Sequence, residues 1–186
     1  MLRIAFVVWS TLPCALALAE DQAEVGIALC KSFSLEGGKV EFVWCGRPIE
    51  VKTLVVTDFS KSIGVLPGGK YHVFFTPKGG MKVKAIHEWI PKARRYTIQL
   101  ADHLGTTVVL GDNLPRVESI LLTEETDPGP GEKGHRPIQR VSYYKEDLIV
   151  PPGFYSVWIV PTNGAKAQRI ANRIRVLAGR ETRVGE

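Results

Sequence analysis

Cysteine, methionine and histidine are all scarce: three, two and four in 186 residues. The chain has no C-x-x-C pair, no H-E-x-x-H helix phrase, no G-x-S-x-G elbow and no complete P-loop, so no known catalytic or cofactor motif nominates itself. No long stretch carries a clean 3.6-residue apolar period, which argues against a helical fold. Beyond the N-terminus no apolar run approaches the roughly 17–25 residues that a membrane-spanning helix needs. These absences favour a non-enzymatic protein with no cofactor and no transmembrane span in its mature part.

What is present is ordinary globular composition. Hydrophobic residues make up 45% and charged residues 23%, with 18 Gly and 12 Pro, which excludes a collagen-like or disordered polymer. The one long apolar stretch is N-terminal. Arg3 precedes the run from Ile4 to Leu12, the apolar character resumes at Ala15 to Leu18, and Ala17-Leu18-Ala19 meets polar Glu20-Asp21. Charge, length and the small-residue cleavage pattern read as a secretory signal peptide over residues 1–19. Pro13 breaks the run and opposes a membrane anchor. It also precedes Cys14, where a lipoprotein signal wants a small residue. The expected location is periplasmic or secreted.

The formal charge of +5 falls by one when Arg3 leaves with the signal. That suits loose attraction to anionic surfaces and is too weak to argue for nucleic acid. Cleavage would leave Cys30 and Cys45. An even pair in an oxidising compartment reads as a disulfide, closing a loop worth about 3 kcal/mol in the chain-entropy account. A metal or redox pair is the rival, without C-x-x-C spacing or a histidine nearby in sequence to support it.

The chain repeats itself. Gly69-Lys70-Tyr71-His72-Val73-Phe74-Phe75-Thr76-Pro77 matches Gly153-Phe154-Tyr155-Ser156-Val157-Trp158-Ile159-Val160-Pro161. Arg47-Pro48-Ile49 upstream matches Arg136-Pro137-Ile138, and Arg95-Tyr96-Thr97 downstream matches Arg180-Glu181-Thr182. Two tandem copies follow, at residues 20–105 and 106–186. Tyr71, Val73 and Phe75 alternate with their neighbours at a period of two, as do Val40, Phe42 and Trp44, Tyr96, Ile98 and Leu100, and Tyr155, Val157 and Ile159. Gly/Pro turns such as Pro67-Gly68-Gly69 and Pro151-Pro152-Gly153 separate the runs. The expected fold is all-β, with two small Ig-like or prealbumin-like β-sandwich modules. Residues 123–134 form an acidic Gly/Pro-rich loop in the second copy and are expected to be mobile. Its Glu124, Glu125, Asp127 and Glu132 offer oxygens for calcium in no EF-hand spacing.

The phrases Pro67-Gly68-Gly69-Lys70-Tyr71 and Pro151-Pro152-Gly153-Phe154-Tyr155, with the closing Leu177-Ala178-Gly179-Arg180-Glu181-Thr182-Arg183-Val184, resemble carboxypeptidase-regulatory-like and PEGA-like modules of exported bacterial proteins. The resemblance covers residues 47–98 and 136–184 in pieces. The first copy departs from it at Ile90-Pro91-Lys92-Ala93, where the Ala-Gly turn is missing. The resemblance implies a prealbumin-type sandwich used as an accessory, adhesive or carbohydrate-contacting part.

Two sets of residues are candidates for binding. Phe74 and Trp158 occupy matching positions and point away from the Tyr–Val face, for packing between the copies, a partner or a sugar. Lys82, Lys84, Arg94 and Arg95 crowd the end of the first copy, and Arg173 and Arg175 that of the second. They form basic strips that either contact an anionic polymer or blunt edge pairing. The function expected is an accessory, scaffold or protein-binding component of the envelope. The alternatives are a carbohydrate or polyanion binder and a metal-dependent enzyme, whose ligands would have to be gathered from several strands.

Overall fold

The computed structural model describes residues 21–28, 30–56, 62–92, 94–111 and 114–185. The expected signal peptide, with Cys14, lies outside them. The first seven strands are β1 (Gln22–Ile27), β2 (Lys39–Trp44), β3 (Val51–Val55), β4 (Gly64–Pro67), β5 (Gly69–Thr76), β6 (Val83–Ile90) and β7 (Arg95–Ile98). The second seven are β8 (Gly105–Val109), β9 (Val117–Glu124), β10 (Pro137–Val141), β11 (Asp147–Val150), β12 (Gly153–Pro161), β13 (Gln168–Val176) and β14 (Glu181–Val184). The fold is all-β, and a 3-10 turn at Leu100–Asp102 is the sole helical element among the described residues. No helix among them is long and apolar enough to cross a membrane.

The two halves share one topology, strand for strand. β4-β1-β7 form one sheet of the first half and β3-β2-β5-β6 the other; β11-β8-β14 and β10-β9-β12-β13 repeat them. β1 runs antiparallel to β4 and parallel to β7, and β8 does the same with β11 and β14. The period of two explains the cores. Val40 and Phe42 of β2, with Tyr71, Val73 and Phe75 of β5, turn inward against Val25 and Ile27 of β1 and Ile98 of β7. Leu122, Tyr155, Val157 and Ile159 face Val109, Leu148 and Val184 in the second core. Each such buried side chain contributes about 1.5–3 kcal/mol of apolar transfer.

The repeated tyrosine has the same role twice. Tyr71 Oη donates to the Pro67 carbonyl at 2.8 Å, and Tyr155 Oη to the Pro151 carbonyl at 2.8 Å. Each bond ties the first turn of the central strand to the edge of the opposite sheet. Burial, then the charge of Glu50 or Glu124, pushes each phenol up to about 12.

The halves are docked on each other. All five residues of β8 are buried, and Ile149 of β11 packs in the first core, while Ile138 touches both cores. Gln139 is 1% exposed. Its amide spans the junction, with Oε1 accepting from Met81 N–H at 2.8 Å and Nε2 donating to the Met81 carbonyl at 2.6 Å. Ser32 Oγ donates to the Gly179 carbonyl at 2.6 Å, and Asp147 accepts a bond from the Ser34 backbone. The expected alternation through Leu100 stops at Ile98: Leu100 turns into the 3-10 turn and is buried there with Leu104.

One expectation is corrected here. Cys30 and Cys45 are free thiols, the first half-buried and the second exposed. Cys45 N–H bonds Lys70 O and Gly68 N–H bonds Asp21 O, which sets Cys45 near the start of β1, while Cys30 follows its end. A six-residue strand rises about 20 Å, far beyond the reach of a bridge. The acidic loop takes a defined, hydrogen-bonded conformation. Asp127 Oδ1 accepts from Gly129 N–H at 2.8 Å and His135 Nδ1–H at 2.7 Å, and Oδ2 from Arg136 N–H at 2.7 Å. Burial works to raise this carboxyl, but the three hydrogen bonds outweigh it and hold it below the usual aspartate value. The oxygens proposed for calcium are thus partly committed within the loop.

Candidate functional site: the outer faces of the two large sheets

Each four-stranded sheet has an outer face, and the two faces differ. On the second, the loop between β9 and β10 folds back as a strap. Gly129 is buried against the Trp158 ring with φ +102°, and a Cβ there would come within 2.3 Å of Trp158 Cη2. Only glycine fits both the backbone conformation and the approach. Trp158 Nε1 donates to Thr123 Oγ1 at 3.3 Å, and the Arg169 guanidinium lies 5.2 Å from the ring centroid on the same residue. Beside it Ser156 Oγ donates to Asn172 Oδ1 at 2.7 Å. This face is closed by the protein's own chain.

The first module has a short connection from β2 to β3, residues 45–50, and no counterpart to the strap among the described residues. Its outer face carries Glu41, Val43 and Cys45 from the β2 side, Lys70, His72 and Phe74 from β5, and Lys84, His87 and Trp89 from β6. Trp89 of β6 is 66% exposed and Val51, on the opposite edge strand β3, 58%; Ile49, two residues before Val51, is 76% exposed.

His72 and His87 sit directly opposite each other on β5 and β6. Their ring centroids are 3.9 Å apart with planes at 65°. A bulge sets this pairing. Phe74 pairs with Lys84 but Val73 pairs with Ile86, so Ala85 is the extra residue. In an unbroken ladder Ile86 would face His72, and His87 would turn to the other side; the one-residue shift re-aims His87 outward. Cys45 joins them from the end of β2, and the three donor atoms lie within 4.8 Å of one another. His72 Nδ1 is buried with no hydrogen-bond partner. Desolvation against its neighbours, then the charges of His72, Lys84 and Lys70, hold the His87 imidazole below its ordinary pKa, so it is neutral near pH 7. A thiol and two imidazoles can hold a transition-metal ion.

The candidates singled out in the sequence are dispersed. Phe74 and Trp158 do face outward at matching positions, but each is covered within its own module: Lys82 Nζ lies 4.9 Å above Phe74, and the strap covers Trp158. The basic strips are interleaved with carboxylates. Lys82 pairs with Glu41 at 2.6 Å, Arg95 with Glu24 at 2.8 Å and Arg173 with Glu125 at 3.5 Å. Arg173 also reaches over Phe154, whose strand neighbour across the ladder is Arg175. Lys84 lies beside His87, and Arg94 precedes β7, where its carbonyl accepts from Glu24 N–H. Sequence reading passed over His72, His87 and Trp89. The spacing of histidines along the chain holds no motif, and the signal that joins them is two-dimensional: strand order plus one bulge.

Compared with family models, with curated proteins and with solved structures, the chain matches none.

Proposed function

We propose that this is a non-enzymatic, exported component of the cell envelope that holds a protein partner on the open outer face of its first sandwich. The contrast between the two copies of one fold carries the reading. The strap that closes the second face has no equivalent among the described residues of the first, where Trp89 on β6 and Val51 on β3 stand exposed at the two edges of the sheet. A solvent-exposed Trp is what protein interfaces use as an anchor. The N-terminal segment supports export. The resemblance to accessory modules of exported proteins agrees with such a role.

The anionic-polymer reading is the weaker one, because Lys82, Arg95 and Arg173 already face carboxylates of their own module. The test is capture from an envelope extract after crosslinking in place, with wild type and Trp89→Ala compared by mass spectrometry. One protein recovered at near-equal amount with wild type and lost with Trp89→Ala supports the proposal. Recovery of polysaccharide or lipid alone, released by salt, refutes it in favour of polymer binding.

A further inference from the structure

We infer that Cys45, His72 and His87 form a site for one divalent transition-metal ion of the zinc type on the outer face of the first module. Four observations converge on it. The three donors come from β5, β6 and the residue that follows β2, and lie within 4.8 Å of one another. His72 and His87 are a direct cross-strand pair with rings in contact. The bulge at Ala85 exists on the strand that supplies His87 and is what turns that residue to this face. Finally, His72 Nδ1 is buried without a partner, a costly arrangement and one of only two such side-chain atoms among the described residues.

The geometry is within reach of coordination. Tetrahedral zinc with bonds of about 2.3 Å to sulfur and about 2.0–2.1 Å to nitrogen sets its donors about 3.4–3.6 Å apart. The present 4.8 Å envelope must therefore contract by no more than about 1.4 Å, which side-chain rotation supplies. Cys45 and His87 are exposed and free to rotate, while His72 is held in the sheet. One sulfur and two imidazole nitrogens discriminate against calcium and magnesium, which take oxygen, and favour zinc and its neighbours. On binding, the Cys45 thiol gives its proton to solvent and the two imidazoles bind neutral. The ion exchanges water for these donors and nothing is oxidised or reduced. Three protein donors leave a fourth position open to water or to an outside ligand. The second module is the internal contrast: where the first has His72, it has Ser156, bonded to Asn172 under the strap.

The inference does not depend on the proposed partner, because metal binding and partner capture are separate measurements and either can fail alone. The probe is Co2+, titrated into a Cys14→Ser, Cys30→Ser variant in which Cys45 is the remaining thiol. Binding is followed by the sulfur-to-cobalt charge-transfer absorption, then by competition with Zn2+. The expected result is one equivalent of Co2+ per chain with that absorption, displaced by Zn2+. The absorption vanishes in Cys45→Ser. His72→Asn and His87→Asn each weaken binding by at least about a hundredfold, since loss of an outer-shell partner alone costs 10–100-fold. Unchanged far-ultraviolet circular dichroism confirms that these variants fold. Absence of the sulfur-to-cobalt absorption, one ion per two chains, or an affinity unmoved by both histidine variants overturns the inference.

Discussion

Gln139→Ala is expected to loosen the junction between the two sandwiches more than any surface change nearby. The Gln139 amide bonds both backbone groups of Met81, at 2.8 Å and 2.6 Å, from a position 1% exposed. Truncation removes two hydrogen bonds, each worth about 1 kcal/mol net, and strands the Met81 N–H and carbonyl. Met81 is itself 40% exposed, so water reaches part of what is stranded. The cost is therefore about 2–3 kcal/mol, toward the lower end of what those losses allow. For a chain of this length that is a fall in Tm of about 5–10 °C. Gln139→Glu keeps the acceptor, loses the donor and faces a carboxylate toward the Met81 carbonyl, so it is expected to cost more than Ala at neutral pH. The neighbouring exposed pair Arg140–Glu118, at 3.5 Å, provides the control, and Arg140→Ala is expected to cost under about 1 kcal/mol. Urea unfolding followed by tryptophan fluorescence measures all three. A Gln139→Ala variant no less stable than Arg140→Ala refutes the claim that this amide holds the halves together.

Further outcomes follow from the same geometry. Tyr71→Phe and Tyr155→Phe are each expected to cost about 1–2 kcal/mol, nearly alike and nearly additive in the double variant, because both remove one bond to a proline carbonyl in separate cores. Both phenols are pushed up to about 12 from 10.0, so the unfolded chain loses those protons first. Stability is then intact below pH 10, falls as pH rises toward 12, and the fall is absent in the double Phe variant. Gly129→Ala is expected to lift the strap from Trp158 at a cost of about 2 kcal/mol, seen as a tryptophan emission shift and as new protease cuts within residues 125–136. The Asp127 carboxyl is held below its ordinary value, so its contribution is present above about pH 4 and is lost as acid protonates it. Protease cutting of the strap is expected to rise over that range, and Asp127→Asn to remove the dependence. Trp89→Ala, at an exposed position, is expected to change stability by less than about 0.5 kcal/mol while lowering partner capture.

The duplication was legible because its anchors are structural. Tyr71 and Tyr155 recur with their Pro-Gly turns since the same bond to a proline carbonyl is made twice, and the alternation around them reports the buried face directly. The outward direction of Phe74 and Trp158 followed from the same period. What covers them did not, since Lys82 and the strap arrive from elsewhere in the chain. The conformation of the acidic loop was not legible because it has almost no apolar residues. It rests on one buried carboxylate collecting backbone N–H groups and on a glycine that fits under an indole, neither of which composition reveals. The cysteines misled because an even pair says nothing about which end of a strand each occupies. His72 and His87 were invisible as a pair because an unbroken ladder sets them on opposite sides, and the Ala85 bulge has no mark in the residue pattern around it.

The most direct test of the account is hydroxyl-radical footprinting of the free protein, read residue by residue. The account predicts heavy labelling of Trp89, His87 and Val51 on the first outer face, with Trp158 protected beneath its strap. Trp158 labelled as readily as Trp89, or Trp89 protected in the free chain, would contradict the distinction between an open face and a closed one on which the proposed binding site rests.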